Sequence, residues 1–179
     1  MELLTKLWYL KFCKYDLAIS DYKKLITLFP KYARLYFNIA LVYDEMQELD
    51  DAIHAYSKSI LYDSANAKGF YNRGYDYDEL NKNELAIKDY TKAISLDTSY
   101  DDAYFNRAII YDKLGKYDEA IADYTKVIAL EPYPSDAYFN RGLSKASNGR
   151  HSESCADIKK SAEYGNKEAL KYYRENCIK

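Results

Sequence analysis

The chain contains few residues of the kinds that interrupt helices or carry most enzyme chemistry. Its 179 residues include six glycines, three prolines and two histidines. So little glycine and proline leaves little room for long loops. Hydrophobic residues make up 48% of the chain and charged residues 30%, which is the balance of a folded globular protein and excludes a disordered one.

The chain also lacks the sequence features of membrane proteins and of nucleic-acid-binding proteins. No apolar run approaches the roughly 18 residues that a membrane-spanning helix requires. The net charge of −2 offers nothing to attract a polyanion, so we expect neither a nucleic-acid partner nor a membrane partner. The N-terminal stretch MELLTKLWYLKF is too short and too mixed for a secretory signal, and we therefore expect a cytoplasmic protein.

Cysteine is scarce and is not arranged as a recognisable site. Cys13, Cys155 and Cys177 give an odd count, and no two of them have CxxC spacing. This pattern argues against a disulfide framework and against a zinc site. We therefore expect free thiols in a reducing compartment.

The usual catalytic groups are equally sparse. His54 and His151 lie far apart in the chain, and no third group is spaced to complete a triad or a metal cluster with either. No glycine-rich phosphate-binding loop is present. We therefore expect no catalytic residue, no bound metal and no cofactor.

What the chain does have is 22 tyrosines and a period of 34 residues. When Ala67–Tyr100 is laid over Asp101–Pro134, 14 of 34 positions are identical, whereas chance would give about two. Alanines and tyrosines recur at the same interval, and so does one asparagine. A fixed period of this length is typical of stacked supersecondary units. The recurring asparagines, here named the asparagine ladder, are Asn38, Asn72, Asn106 and Asn140.

One copy of the unit, YFNRAIIYDKLGKYDEAIADYTKVIALEP, carries a family resemblance. Aromatic and small residues stand at fixed offsets in it, and the chain resembles the tetratricopeptide repeat family over nearly its whole length. The resemblance implies an all-α, right-handed superhelical solenoid of antiparallel helix pairs. The residues that carry the resemblance in this copy are Tyr104, Ala108, Tyr111, Ala120, Tyr124 and Pro132.

The period divides the chain into five repeats within a single domain, 1–179. Terminal repeats often depart from the consensus because one face meets water. Lys6 stands where repeat one should have a small residue, and Ser154 and Ile158 replace the alanine and the aromatic residue of repeat five. We expect repeats at about 1–32, 33–66, 67–100, 101–134 and 135–168, and a C-terminal capping helix over about 166–177.

Arginine and aspartate occur together at a spacing of 16 residues in three repeats. Both are absent from repeat two, where Ile39 and Ala55 occupy the two positions. Joint presence and joint absence indicate a contact between the first and second helices of a repeat, and we expect a partly buried ion pair there. The pairs are Arg73 with Asp89, Arg107 with Asp123, and Arg141 with Asp157.

The family resemblance implies that first helices line a concave groove. The asparagine ladder is similar to that of the O-linked N-acetylglucosamine transferase repeat domain, where such residues hold a peptide backbone. A primary amide both donates and accepts, which suits it to peptide bonds. Alternatively, each asparagine bonds to a neighbouring repeat and sets the pitch, and the aromatics pack between repeats. Beside the ladder, the expected peptide-binding residues are Phe37, Tyr71, Phe105, Phe139 and Tyr75, with Asp78 and Asp112 at the rim.

The residues before the ladder asparagines argue against an acidic C-terminal tail as the ligand. Members that grip acidic C-terminal tails need a lysine immediately before the ladder asparagine of one repeat, and all four such positions are aromatic here. We therefore expect a non-catalytic scaffold, monomeric, that binds an extended neutral-to-basic peptide of another protein. The alternatives are a self-associating structural module and a regulatory fragment of a larger enzyme.

Overall fold

The computed structural model describes the backbone of residues 2–178 and the side chains of residues 14–178. Within that part of the chain the secondary structure is ten α-helices and no strand, so the all-α fold class is confirmed. The helices are α1 (Glu2–Leu28), α2 (Ala33–Glu45), α3 (Leu49–Tyr62), α4 (Ala67–Glu79), α5 (Asn83–Leu96), α6 (Asp101–Lys113), α7 (Tyr117–Leu130), α8 (Ser135–Ser147), α9 (His151–Glu163) and α10 (Lys167–Asn176).

The helices form two compact units, Met1–Leu96 and Asp97–Lys179. In the first unit, consecutive helices from α1 to α4 pack side by side, and α5 packs on α4. In the second unit the same holds from α6 to α10. Within residues 2–178, no helix is both long enough and apolar enough to cross a membrane.

Repeat one differs from its predicted form. Cys13 lies 34 residues before Gln47, so the period places a turn of repeat one there, but α1 continues through that position as a single helix of 27 residues and ends two residues before Pro30. Cys13 is neither Gly nor Asn, the residues that most readily adopt the left-handed conformation at the end of a helix. The side chain of Lys6, on which the prediction also depended, lies outside the described residues.

The turns inside the other four repeats share one backbone conformation. Each contains a residue with positive φ, at 61° for Gln47, 55° for Asn81, 71° for Gly115 and 77° for Gly149. Gln47 departs from the Gly or Asn that the other three repeats have at this position. The structure shows the same turn there, with the Gln47 amide donating to the carbonyl oxygen of Asp44 at 3.1 Å.

Buried alanines and tyrosines form much of the core of the repeats. Small residues at the middle of first helices and the start of second helices are fully buried, which lets the two helices of a repeat approach closely. Three tyrosines of second helices then fill the remaining space. The alanines are Ala40, Ala52, Ala86, Ala108 and Ala120, and the tyrosines are Tyr56, Tyr90 and Tyr124.

Gly142 takes the small-residue position in α8, and an alanine there does not fit. A Cβ at Gly142 would lie 2.6 Å from Ile158 Cγ1 and 3.2 Å from the backbone oxygen of Ser154. We expect Gly142→Ala to lower the free energy of unfolding by about 1–3 kcal/mol, because the strain outweighs the better helix propensity of alanine. Urea denaturation of the purified variant measures this change.

Gly74 provides the matched control, since it holds the same position in α4. Its Cβ would meet the ring of Tyr90 at 3.1 Å, a contact that a small ring shift relieves. Gly74→Ala should therefore cost less than Gly142→Ala. Equal stabilities for the two variants, or a Gly142→Ala variant as stable as the original chain, would show that Ile158 yields without cost.

The expectation of free cysteine thiols is wrong for two of the three. Cys155 in α9 and Cys177 after α10 form a disulfide, with their Cα atoms 5.6 Å apart. No CxxC spacing marks this bond, because the two residues are 22 positions apart and are brought together by the turn between the two helices. Gly165 in this turn has a φ of 94°, a conformation that favours glycine.

The C-terminal helix α10 covers the end of the second unit. Ala169 is fully buried against Phe139 and Ile158, and Tyr172 and Tyr173 pack partly buried against the same cluster. The helix begins at an asparagine cap, where Asn166 Oδ1 accepts from the Ala169 amide at 2.9 Å. Both this apolar contact and the disulfide hold α10 in place.

Candidate functional site

Each of the three paired arginines meets its aspartate through two hydrogen bonds. Arg73 Nε and Nη2 donate to the two carboxylate oxygens of Asp89 at 2.7 and 2.8 Å. The aspartates are almost fully buried, and the planar guanidinium matches a carboxylate in this two-point geometry. These pairs join the first helix of a repeat to its second helix. Arg107–Asp123 (2.7 and 2.8 Å) and Arg141–Asp157 (2.8 and 2.7 Å) repeat the arrangement.

The arginines also make contacts that the sequence reasoning missed. Arg73 Nη1 donates to Ser57 Oγ at 2.9 Å, and Arg141 Nη1 donates to Thr125 Oγ1 at 3.0 Å, in each case reaching the second helix of the preceding repeat. Arg73 also lies over the rings of Phe70 and Tyr77, at 5.7 and 5.9 Å from their centroids. One signal was available, because both hydroxyl residues stand 16 positions before their arginine.

The four ladder asparagines are half-buried, and Asn72 makes a contact between repeats. Its Nδ2 donates to the hydroxyl of Tyr56, which belongs to the preceding repeat, at 2.9 Å. This bond is the kind expected of an asparagine that sets the pitch. The same residue lines an open pocket that a ligand could occupy.

The aromatics beside the ladder pack mainly within their own repeats. The rings of Phe37 and Phe105 lie 5.6 Å from Tyr56 and Tyr124 respectively, in edge-to-face arrangements. Phe37, Tyr71 and Phe105 remain half-exposed, while Phe139 is only 8% exposed because α10 covers it. Phe139 is thus a core residue of the second unit, whereas Tyr75 is an exposed residue of the first.

The rim aspartate of the second unit is engaged inside the protein. The carboxylate of Asp112 accepts from Ser144 Oγ at 2.7 and 2.9 Å and from the hydroxyl of Tyr124 at 3.1 Å. Burial raises the pKa of Asp112, and the bonds from Ser144 and Tyr124 act in the opposite direction. This cluster, Asp112 with Tyr124 and Ser144, is named the closed cluster below. The other rim aspartate of the prediction, Asp78, is half-buried in α4.

The first unit has the corresponding cluster with one residue changed. Asp44 accepts a short hydrogen bond from the Tyr56 hydroxyl, as Asp112 does from Tyr124. The position of Ser144, however, is taken by Asp76, which is 2% exposed. Asp44 Oδ1 and Asp76 Oδ2 are both buried, and the hydrogen bond available to them is the one that a protonated Asp76 donates to Asp44. Burial raises the pKa of Asp76 to about 8, and the charge of Asp44 contributes to this shift.

These carboxylates face an open pocket of about 350 Å³ in the first unit. Its lining contains three carboxylates and no basic side chain. The negative charge of Glu79, followed by burial, raises the pKa of Tyr75 at its wall. Sequence reasoning placed Tyr71, Asn72 and Tyr75 in the groove but missed Asp76. The pocket is lined by Asp44, Tyr71, Asn72, Tyr75, Asp76 and Glu79, among others.

The histidines are not part of any such site. His54 on α3 and His151 at the start of α9 are both exposed. Across the described residues there is no cluster of three or more histidine, cysteine, aspartate or glutamate side chains placed to hold a metal ion.

Comparison with known proteins finds matches to repeat profiles in the middle of the chain. Residues 33–66 and 101–134 match profiles of the tetratricopeptide repeat, and residues 74–115 match a TPR repeat profile. No curated protein matches the chain at significant sequence similarity.

Solved structures with the same fold extend the match over most of the chain. Two crystal structures of MamA are 30% identical in sequence, with TM-scores of 0.80 and 0.81. The first alignment covers 88% of this chain and 86% of MamA, and the second covers 87% and 91%. YrrB, described as a TPR protein with an unusual peptide-binding site, has a TM-score of 0.81 at 20% identity, over 97% of this chain and 88% of YrrB. The matched repeats and the identity to MamA show that this protein belongs to the tetratricopeptide repeat family.

Proposed function

We propose that the protein is a non-catalytic scaffold that binds an extended segment of another protein along its first helices. Repeats of this family support a role in protein–protein interaction. The observation that carries the proposal is the pocket of the first unit, where Asn72 and two tyrosines border an open space beside the carboxyl groups of Asp44 and Asp76. The peptide-binding site described for the structural relative YrrB is in keeping with it.

The proposal gives each class of side chain a separate task. Asn38, Asn72 and Asn106 would exchange hydrogen bonds with peptide groups of the ligand, since an amide offers both a donor and an acceptor. Tyr71 and Tyr75 would pack against its side chains. Because the pocket lining is acidic, a neutral-to-basic segment is favoured over an acidic one. Phe139 is left out of the proposed contacts because it is buried under α10.

A peptide selection tests the proposal and does not require the partner to be identified first. A display library of random dodecapeptides is selected on the protein, and the enriched peptides are measured by fluorescence anisotropy. We expect the double variant Asn72→Ala/Asn106→Ala to bind them roughly 10–30-fold more weakly, because two amide hydrogen bonds of about 1 kcal/mol each are lost. The absence of any enriched peptide would overturn the proposal.

Tyr56→Phe is the control for a purely structural role of Asn72. It removes the hydroxyl to which Asn72 donates, and with it the hydrogen bond from Tyr56 to Asp44, but leaves the amide itself in place. If the ladder acts only through repeat pitch, Tyr56→Phe should weaken peptide binding as Asn72→Ala does. If the amide contacts the peptide, Tyr56→Phe should retain most of the affinity. Circular dichroism and melting temperature establish that each variant is folded.

Self-association is the competing function, and light scattering separates it from peptide binding. A groove that binds a partner segment should leave the protein monomeric at every concentration tested. A molar mass that rises with concentration, together with failure of the peptide selection, would favour the self-associating module.

A further inference from the structure

The first unit contains two buried carboxylate oxygens that have no hydrogen-bond donor except a proton held between their own carboxyl groups. They are Asp44 Oδ1 and Asp76 Oδ2, and both residues line the pocket described above. Asp76 is only 2% exposed, so water does not compensate this oxygen as it does at a surface. Burial of an acceptor without a partner is costly, and native proteins rarely retain one without a reason.

The second unit shows how the same arrangement looks when it is complete. In the closed cluster, the Asp112 carboxylate receives hydrogen bonds from both Tyr124 and Ser144. In the first unit, Asp76 replaces the serine, and it can donate to Asp44 only while its carboxyl group is protonated. The first cluster therefore depends on a proton where the closed cluster has a permanent donor.

A proton on Asp76 supplies the missing hydrogen bond to Asp44 as long as Asp76 is uncharged. Asp76 has a pKa of about 8 because burial and the charge of Asp44 oppose its ionisation, so at neutral pH it retains a proton. The charged and titratable groups around it are Asp44 and Glu45 from α2, Tyr56 from α3 and Glu79 from its own helix. Every charge among them is negative, so a cation entering the pocket replaces the proton.

The walls of the pocket indicate what kind of cation fits. Tyr71 and Tyr75 line it with aromatic rings, which attract organic cations through their faces. A volume of about 350 Å³ exceeds what a bare metal ion needs, and no group of residues in the described chain is arranged as a metal site. An alkyl chain ending in a positive charge uses both the aromatic walls and the carboxylates.

We propose that this pocket binds one lysine or arginine side chain of the peptide ligand, with Asp44 and Asp76 as its counter-ions. The inference rests on the proposed peptide-binding function and specifies which side chain the ligand presents to the first unit. Asp76 receives the cation at the bottom of the pocket, and Glu79 attracts it at the mouth. In the second unit, Tyr124 and Ser144 already donate to Asp112, so the closed cluster needs no cation.

The first experiment uses a small cation in place of a peptide. Butylguanidinium chloride is added to protein labelled with ¹³C at aspartate Cγ, and the pKa of Asp76 is followed by NMR. The cation should lower this pKa by at least about one unit, because it favours the charged carboxylate. Butylurea, a neutral molecule of the same shape, and sodium chloride at equal ionic strength should leave it unchanged. An unchanged pKa with butylguanidinium, or an equal shift with sodium chloride, overturns the inference.

The pH dependence of binding gives a second readout. The pKa of Asp76 is about 8, so below pH 8 butylguanidinium must displace the Asp76 proton in order to bind. The affinity for butylguanidinium should therefore rise nearly tenfold for each pH unit and level off above pH 8. Asp76→Ser, which reproduces the composition of the closed cluster, should bind the cation weakly and without this pH dependence. The same slope in Asp76→Ser would overturn the inference.

Peptides from the library selection separate this inference from the proposed function. Replacing the basic residue of an enriched peptide by citrulline or norleucine should weaken its binding at least about tenfold to the original chain but not to Asp76→Ser. If the substituted peptides bind the original chain as tightly as before, the groove binds peptides but the cation pocket is wrong. If butylguanidinium shifts the Asp76 pKa and no peptide binds, the pocket is a cation site and the proposed function fails.

Discussion

Asp123→Ala is expected to lower the free energy of unfolding by about 3–5 kcal/mol, one of the two largest effects that we expect of a single substitution in this chain. The carboxylate accepts two hydrogen bonds from Arg107, and the side chains of the two residues are only 8% and 14% exposed. Removing one member of such a pair leaves a buried charge without its counter-ion, which costs far more than the pair contributes when intact. Urea denaturation followed by circular dichroism measures the loss.

A double substitution distinguishes the isolated charge from a loss of packing. Arg107→Met/Asp123→Leu replaces the pair by apolar side chains and should recover most of the stability, because neither charge is then left alone. Glu163→Ala removes the carboxylate of an exposed pair, with Lys160, and should change the stability little. A loss in Asp123→Ala no greater than that in Glu163→Ala would show that solvent reaches Arg107.

The sequence predicted the arginine and aspartate residues because both positions lie in the same repeat. Their joint absence at Ile39 and Ala55 made the spacing of 16 residues informative, and the structure places the paired groups of Arg73 and Asp89 within 2.8 Å. The contact to Ser57 was harder to predict, because it depends on how one repeat stacks on the next. Periodicity describes a repeat well but says less about the distance between neighbouring repeats.

The acidic pocket was missed for a related reason. The prediction compared only residues that lie 34 positions apart, such as Asp44, Asp78 and Asp112. Asp76 belongs to another such series, which continues with Ile110 and Ser144. The stacking of one repeat on the next brings Asp76 beside Asp44. A change from an apolar or hydroxyl residue to aspartate at a buried position is visible in the sequence once the burial of that position is known.

The disulfide shows a further limit of spacing arguments. Cys155 and Cys177 belong to different helical segments, and neither position repeats elsewhere in the chain. The capping helix was predicted over about 166–177, and α10 spans Lys167–Asn176, but its orientation against α9 could not be read from its periodicity alone. The pairing of the two cysteines follows from that orientation, since the turn at Gly165 returns the chain along α9.

The disulfide also bears on where the protein resides. Cytosolic thiols are kept reduced, whereas disulfides persist in oxidising compartments. A reducing compartment therefore predicts a reduced pair, whereas the geometry of α9 and α10 favours an oxidised one. Mass spectrometry of protein extracted from its source into an alkylating reagent distinguishes the two states. If Cys155 and Cys177 are bonded, the protein carries two alkyl groups fewer than the fully reduced chain.

Loss of the disulfide is expected to lower the free energy of unfolding by about 3 kcal/mol. The bond joins residues 22 positions apart, and the chain-entropy relation for a loop of this length gives that figure. We compare Cys13→Ser with Cys13→Ser/Cys155→Ser/Cys177→Ser in urea, so that the third thiol cannot exchange with the pair. The reducing agent dithiothreitol should lower the stability of Cys13→Ser by the same amount.

The loss should be concentrated in the C-terminal helix. α10 is anchored by the buried Ala169, by partly buried Tyr172 and Tyr173 and by the disulfide, so removal of the bond leaves only a short apolar face to hold it. Amide hydrogen exchange should increase first in α10 and only later in α8 and α9. If Cys13→Ser/Cys155→Ser/Cys177→Ser unfolds at the same urea concentration as oxidised Cys13→Ser, and amide exchange in α10 is unchanged, the apolar contacts alone hold this helix in place.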